Sequence, residues 1–140
     1  MKDVKNTKDA EKGGIMKIAV TSKGRETESE IDLRFGRCAY FIIFDTETGA
    51  AEPVENIGAD SSTGAGVKAA QAAVSQGVEA VITGKAGPNA AGILKAAGIK
   101  IYTCENMTID AALKEFEKGG LLEASDSAGT ENKIINLSEN

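Results

Sequence analysis

The chain has 140 residues, 41% hydrophobic, 26% charged and only 4% aromatic, which describes one globular domain with a core of aliphatic side chains and alanine. It contains no histidine, which excludes Ser-His-Asp and Cys-His catalysis, imidazole metal sites and an imidazole pH switch, leaving thiols, carboxylates, Lys, Arg, Tyr and backbone groups for any chemistry. A formal net charge of -5 argues against nucleic acid and anionic membranes as partners.

Residues 1–14 are rich in Lys and Asp, lack the apolar stretch of a signal peptide, and are expected to be a disordered leader. No segment approaches the ~20 apolar residues of a membrane span, so a cytoplasmic protein is expected. Met16 to Thr21 is β-branched and partly alternating and predicts a first strand. Ser22 to Leu33 is too charged for core and long enough for a functional loop, closed by Arg34-Phe35-Gly36-Arg37. The apolar run Cys38 to Asp45 predicts a central strand buried on both faces. After the turn Thr46 to Gly49, Glu52 to Ile57 predicts a third strand, which Pro53 assigns to an edge.

Gly58 to Gly66 is a loop, and Val67 to Gln76 predicts a helix burying Val67, Ala70 and Val74, stopped by Gly77. An αβ alternation follows: strand Val78 to Thr83, helix Pro88 to Ala97, strand Ile99 to Cys104, helix Ile109 to Lys118. Pro88 suits a first helical position, Thr108 an N-cap, and Gly98 and Gly119-Gly120 helix ends. Residues 15–123 thus form one α/β domain, and 124–140, polar apart from Ile134, Ile135 and Leu137, are expected to be a disordered tail.

Three strands without intervening helices, followed by two αβ units, predict a mixed five-stranded sheet of order 3-2-1-4-5, strand 2 antiparallel, with helices on both faces. This is a ribonuclease H-like arrangement. It carries the ends of strands 1, 3, 4 and 5 and the start of strand 2 to one rim, where ligands bind in open α/β sheets. The rim collects Ser22 to Cys38, Asp60 to Gly66, Thr83 to Asn89 and Cys104 to Met107. Two helix entrances, Gly64-Ala65-Gly66 and Gly87-Pro88-Asn89, offer backbone N–H groups at positive dipole ends, and Lys23, Arg34, Arg37 and Lys85 add charge. An anionic ligand fits that chemistry, although the same glycines also suit close packing and capping. Phe35 reads as a core plug anchoring the loop.

Cys38 and Cys104 are free-thiol candidates for soft metal ligation, with Met107 as a possible thioether. Three strand spacings of about 4.8 Å place them roughly 14 Å apart, beyond the ~7 Å of a disulfide. Strand 1 and the first helix lack the carboxylates a two-metal nuclease needs, and neither a P-loop nor a G-x-G-x-x-G follows a strand.

Met16 to Val20, Arg34-Phe35-Gly36-Arg37-Cys38-Ala39-Tyr40-Phe41, Glu55-Asn56, Gly64-Ala65-Gly66 with Ala69-Ala70-Gln71, Gly87-Pro88-Asn89-Ala90 and Gly98 to Tyr102 together resemble the dinitrogenase iron-molybdenum cofactor family, which includes NifX, the C-terminal domain of NifB and small stand-alone members. The resemblance spans about Met16 to Glu123 and is nearest the stand-alone members. It implies the ribonuclease H-like fold without nuclease activity, and transient binding of molybdenum- or iron-containing sulfur clusters or their precursors. Several relatives carry His where Arg34 stands, so charge replaces a metal ligand here.

The resemblance assigns Phe35, Gly36 and Arg37 to the loop, Gly64, Ala65, Gly66, Gly87, Pro88 and Asn89 to the helix entrances, and Cys38 to metal ligation, with Cys104 the second thiol candidate on its own chemistry. The expected protein is a non-enzymatic, monomeric carrier of an anionic metal-sulfur cluster, exchanging it with cluster-assembly or acceptor proteins. The alternative is a regulatory module binding an organic anion or a protein at the same rim. An enzyme acting through Cys38, its thiolate activated by Arg34 or Arg37, is a third reading.

Overall fold

The computed structural model describes residues 17–124, so the expected leader and, apart from Ala124, the expected tail lie outside the described residues. Strand β1 (Lys17–Ser22) is buried along nearly its whole length. It pairs antiparallel with β2 (Tyr40–Asp45) and parallel with β4 (Ala80–Thr83). A turn, in which the Asp45 carboxylate accepts from the N–H of Glu47 at 2.8 Å and of Thr48 at 3.2 Å, leads into β3 (Ala51–Glu55). Strand β3 pairs antiparallel with β2 and forms one edge, where the missing N–H of Pro53 costs least. Strand β5 (Lys100–Thr103) lies parallel to β4.

The order is β3-β2-β1-β4-β5-β6, so among the described residues the sheet has six strands where five were expected. The sixth, β6 (Leu122–Glu123), runs antiparallel to β5 on the far edge. It escapes sequence reading because both residues are exposed, Leu122 at 76%, and two residues hold no periodicity.

Alternation along the strands feeds two cores. Ala19, Phe41, Ile43 and Val81 point to one face, covered by α1 (Ala65–Ser75) and α2 (Pro88–Ala96). Ile18, Val20, Ile42, Ala80 and Ile82 point to the other, covered by α3 (Ile109–Glu117). Helix α1 corrects the expected pattern: Ala65, Ala69, Ala70 and Ala73 are buried, while Val67 is half-buried and Val74 is 39% exposed. The helix lies so close to its neighbours that its contact face accommodates methyl groups, not isopropyl groups.

The segment after β1 also differs from expectation. Ile31 is fully buried and Asp32 nearly so, and the segment is tied down by backbone bonds from Asp32 N to Thr21 O at 2.9 Å, Ile31 N to Met107 O at 2.8 Å and Ile109 N to Ser29 O at 2.9 Å. A single buried isoleucine among charges gave no period to read. Beneath it, Thr21 Oγ1 lies 2.9 Å from Thr83 Oγ1 and donates to Asp32 O at 2.6 Å, joining β1, β4 and this segment at the rim.

Thr108 caps α3 as expected, its Oγ1 accepting from Ala111 N at 3.1 Å. Thr108→Ala should lower the unfolding free energy by about 1 kcal/mol, read from the urea midpoint at constant m-value.

Candidate functional site

Phe35, Gly36 and Arg37 form a short 3-10 turn between the β1 segment and β2. Phe35 is 1% exposed and tilts against Phe41 with ring centroids 6.0 Å apart. Its side chain therefore anchors the turn from inside the core and presents nothing to the rim. Backbone bonds from Lys85 N to Leu33 O at 2.9 Å and Phe35 N to Lys85 O at 3.1 Å seat the turn on the end of β4. Gly84 permits this, since a Cβ there would stand 2.7 Å from the Leu33 carbonyl oxygen.

Gly36 then meets α1. A Cβ on Gly36 would lie 2.8 Å from both Cα and N of Gly66, and a Cβ on Gly66 would lie 3.6 Å from Ala90 Cβ in the first turn of α2. Three segments thus converge: the Gly36 turn, the Gly64-Ala65-Gly66 entrance and the Gly87-Pro88-Asn89 entrance. Of these residues Gly64, Gly87, Pro88 and Asn89 are exposed, Gly36 and Gly66 half-buried, and Ala65 buried. Gly64 holds φ +74°, a left-handed conformation that other residues adopt reluctantly.

Neither α1 nor α2 receives a side-chain cap, in contrast to α3. The first intrahelical donors are Lys68 N to Gly64 O at 3.0 Å and Ala91 N to Gly87 O at 2.9 Å. The N–H groups before them, on Ala65, Gly66 and Val67 and on Asn89 and Ala90, face the rim end of each helix and carry its positive dipole.

The cations take distinct places. The Arg37 side chain donates from Nη1 to Ala59 O at 2.9 Å and Ser61 O at 2.7 Å, holding the 3-10 turn Ile57–Asp60 beside α1. Lys68 Nζ donates to Ser61 Oγ at 2.9 Å. Among the described residues no carboxylate pairs with Arg37, Lys68 or Lys85. Lys23 instead pairs with Glu30 at 3.3 Å. Arg34 is committed to Asp32, its Nε and Nη2 each 3.1 Å from a carboxylate oxygen, with its backbone N–H 3.0 Å from Oδ1.

The Asp32 side chain is only 5% exposed, whereas that of Arg34 is 68% exposed. Burial pushes the Asp32 carboxyl up, but hydrogen bonds from the Arg34 side chain and backbone, with the charges of Arg34 and Lys23, bring it below its ordinary value.

The two thiols are not brought together. Cys38 is fully buried on the α1/α2 face, its Sγ donating to Phe35 O at 3.3 Å. Cys104 is half-buried on the opposite face, beside Met107 and the α3 core. Burial, then the nearby Asp32 charge, pushes the Cys38 thiol up to about 12. Burial, then Glu105, pushes Cys104 up to about 11. Cys38 packs with the core under α1 and α2, and Cys104 with the core under α3. Among the described residues no group of three or more His, Cys, Asp or Glu is placed to hold a metal ion. The segment Ser29 to Arg34 also divides the expected single rim, bridging to Thr108 through Glu30 and to Lys85 through Arg34. Cys104 to Met107 falls on its α3 side, away from the glycine entrances.

Asn56, which carried no expected role, sits behind the Gly36 turn. It is 4% exposed, and its Nδ2 donates to Gly36 O at 3.1 Å and Cys38 O at 2.9 Å. Its position directly after an edge strand and before a turn was the available signal.

Comparison with known proteins bears on this arrangement. The family model described as dinitrogenase iron-molybdenum cofactor matches residues 15–119. The apo form of the orange protein from Desulfovibrio gigas is 39% identical, with a TM-score of 0.77 over 79% of this chain and 94% of its own. A Thermotoga protein named for NifB and placed in the DUF35 family is 44% identical, with a TM-score of 0.70 over 78% of this chain and 93% of its own. An uncharacterised protein of Methanocaldococcus jannaschii is 32% identical over 110 residues, 76% of this chain and 90% of its own. Among the described residues no helix is long and apolar enough to cross a membrane.

Two outcomes test this geometry. Gly36→Ala must move backbone, not a flexible side chain, and should lower stability by roughly 1–3 kcal/mol in urea unfolding. Asp32 has a depressed pKa in the folded state, so its contribution is full above about pH 4 and fades as pH falls through the folded value. The stability gap between wild type and Asp32→Asn should therefore be large at pH 7 and shrink towards pH 2, read from paired urea curves.

Proposed function

The chain belongs to the dinitrogenase iron-molybdenum cofactor family, and from that premise we propose that it binds a small anionic metal-sulfur cluster of molybdenum or iron, or its precursor, as cargo at the meeting point of α1, α2 and the Gly36 turn. The observation that carries this reading is the pair of adjacent, uncapped helix N-termini beside three cations that no described carboxylate neutralises, in a protein of net charge -5. Helix-terminal N–H groups and a guanidinium stabilise an anion without a bond to its metal.

The same geometry supports one kind of cargo. With Cys38 buried and Cys104 packed with the α3 core, among the described residues the entrances of α1 and α2 are read as offering hydrogen-bond donors and charge in place of a thiolate. The cluster must therefore arrive with its own sulfide ligands complete. Outer contacts of this type exchange readily, which suits handing cargo between assembly and acceptor proteins.

Tetrathiomolybdate, a coloured thiometallate dianion, is the probe. Wild type should bind it in anaerobic equilibrium dialysis, and the Cys38→Ser, Cys104→Ser double variant should bind it as tightly. Arg37→Ala and Lys85→Ala should each weaken binding by about tenfold, the loss of one charge-assisted interaction. Absence of binding by wild type would sink the reading, and loss confined to the cysteine variant would restore thiol ligation. Equal displacement by citrate would favour the organic-anion alternative.

A further inference from the structure

A site for an anion must do more than offer donors; it must also keep carbonyl oxygens from facing the ligand. The segment from Leu33 to Ala39 crosses the rim with its peptide groups close to both helix entrances. The carbonyl of Leu33 accepts from Lys85 N, that of Arg34 from Arg37 N, that of Phe35 from the Cys38 thiol, and that of Ala39 from Asn56 N. Of the three remaining carbonyls, those of Gly36 and Cys38 are both taken by the Asn56 side-chain amide, at 3.1 and 2.9 Å, and its Nδ2 also lies 3.6 Å from Cys38 Sγ. One buried, uncharged side chain thus holds the Gly36–Arg37 and Cys38–Ala39 peptides, which bracket the Arg37–Cys38 pair.

We infer that Asn56 is the positioning residue of the anion site: by collecting the Gly36 and Cys38 carbonyls it turns their oxygens inward and fixes Arg37 and the Gly36 backbone against the entrance of α1. This inference rests on the anion reading of the rim and adds to it a residue that touches no ligand. The chemistry favours an amide at this position. The side-chain NH2 has two donors for two carbonyls, and a carboxylate of the same shape would set oxygen against oxygen. A hydrophobic residue would leave both carbonyls buried without a donor, and the peptides would rotate to find water. Rotation would carry at least one carbonyl oxygen towards the rim, where it repels an anion.

Because Asn56 is neutral and acts through geometry, its loss has a signature separate from that of a cation. Asn56→Ala and Asn56→Asp in the full chain should weaken tetrathiomolybdate binding by about tenfold or more, through loss of an oriented donor set. For Asn56→Ala, which changes no charge, the salt dependence of binding should remain that of wild type, whereas Arg37→Ala should flatten it. In the Arg37→Ala background, adding Asn56→Ala should cost much less than it does alone, since the two act as one unit.

Destabilisation alone is controlled by Leu113→Ala, on the α3 face, which should lower stability at least as much and leave binding within about twofold of wild type. Asn56 variants that bind as wild type does, or a Leu113→Ala variant that loses as much affinity as they do, would overturn the positioning role while leaving the anion site standing. A wild-type protein that fails to bind the probe would remove the anion site, and this inference with it.

Discussion

The fold closes at its rim on one contact, backbone against backbone, between Gly36 and Gly66. Only hydrogen on the Gly36 α-carbon lets the turn before β2 reach the first residues of α1, because a Cβ on Gly36 would stand 2.8 Å from Gly66. From that contact the rest follows. Phe35 is driven into the core against Phe41, Arg37 is set beside the Ile57–Asp60 turn, and α1 is held where its first turn meets Ala90 of α2. The alanine face of α1 has the same cause, since a helix pinned this closely packs methyl groups more readily than branched side chains.

What the sequence made legible was the periodic part. The alternation in β1 and β2, the Pro53 edge, and the αβ punctuation at Pro88, Gly98 and Thr108 are all consequences of local rules. The sixth strand was not legible, because Leu122 and Glu123 gain their conformation from pairing with β5 and show no pattern of their own. Nor was the burial of Ile31 and Asp32, which depends on bonds to Thr21 and Met107, residues distant in the chain. Helix α1 misled for a related reason: hydrophobicity ranked Val67 and Val74 above alanine, whereas close approach selected alanine.

The site was half legible. Glycine entrances and arginines announce themselves as residue types, and the structure sets Gly36, Gly66 and Ala90 in contact. The face on which a cysteine falls depends on strand register and on the path of the preceding loop, and here those put Cys38 and Cys104 on opposite sides of the sheet. Arg34 shows the same limit. Read as a rim cation standing where relatives carry histidine, it is instead the partner that lets a carboxylate remain charged while 5% exposed.

The central claim is that two uncapped helices and one arginine turn together form a receptor for an anionic thiometallate. Amide chemical shifts of uniformly labelled protein, followed during anaerobic addition of tetrathiomolybdate, test it most directly. The account requires the amides of Gly36, Ala65, Gly66, Val67, Asn89 and Ala90 to move together on one binding curve. Shifts centred on Cys104 and Met107, or a titration that leaves the entrances of α1 and α2 unmoved, would contradict it.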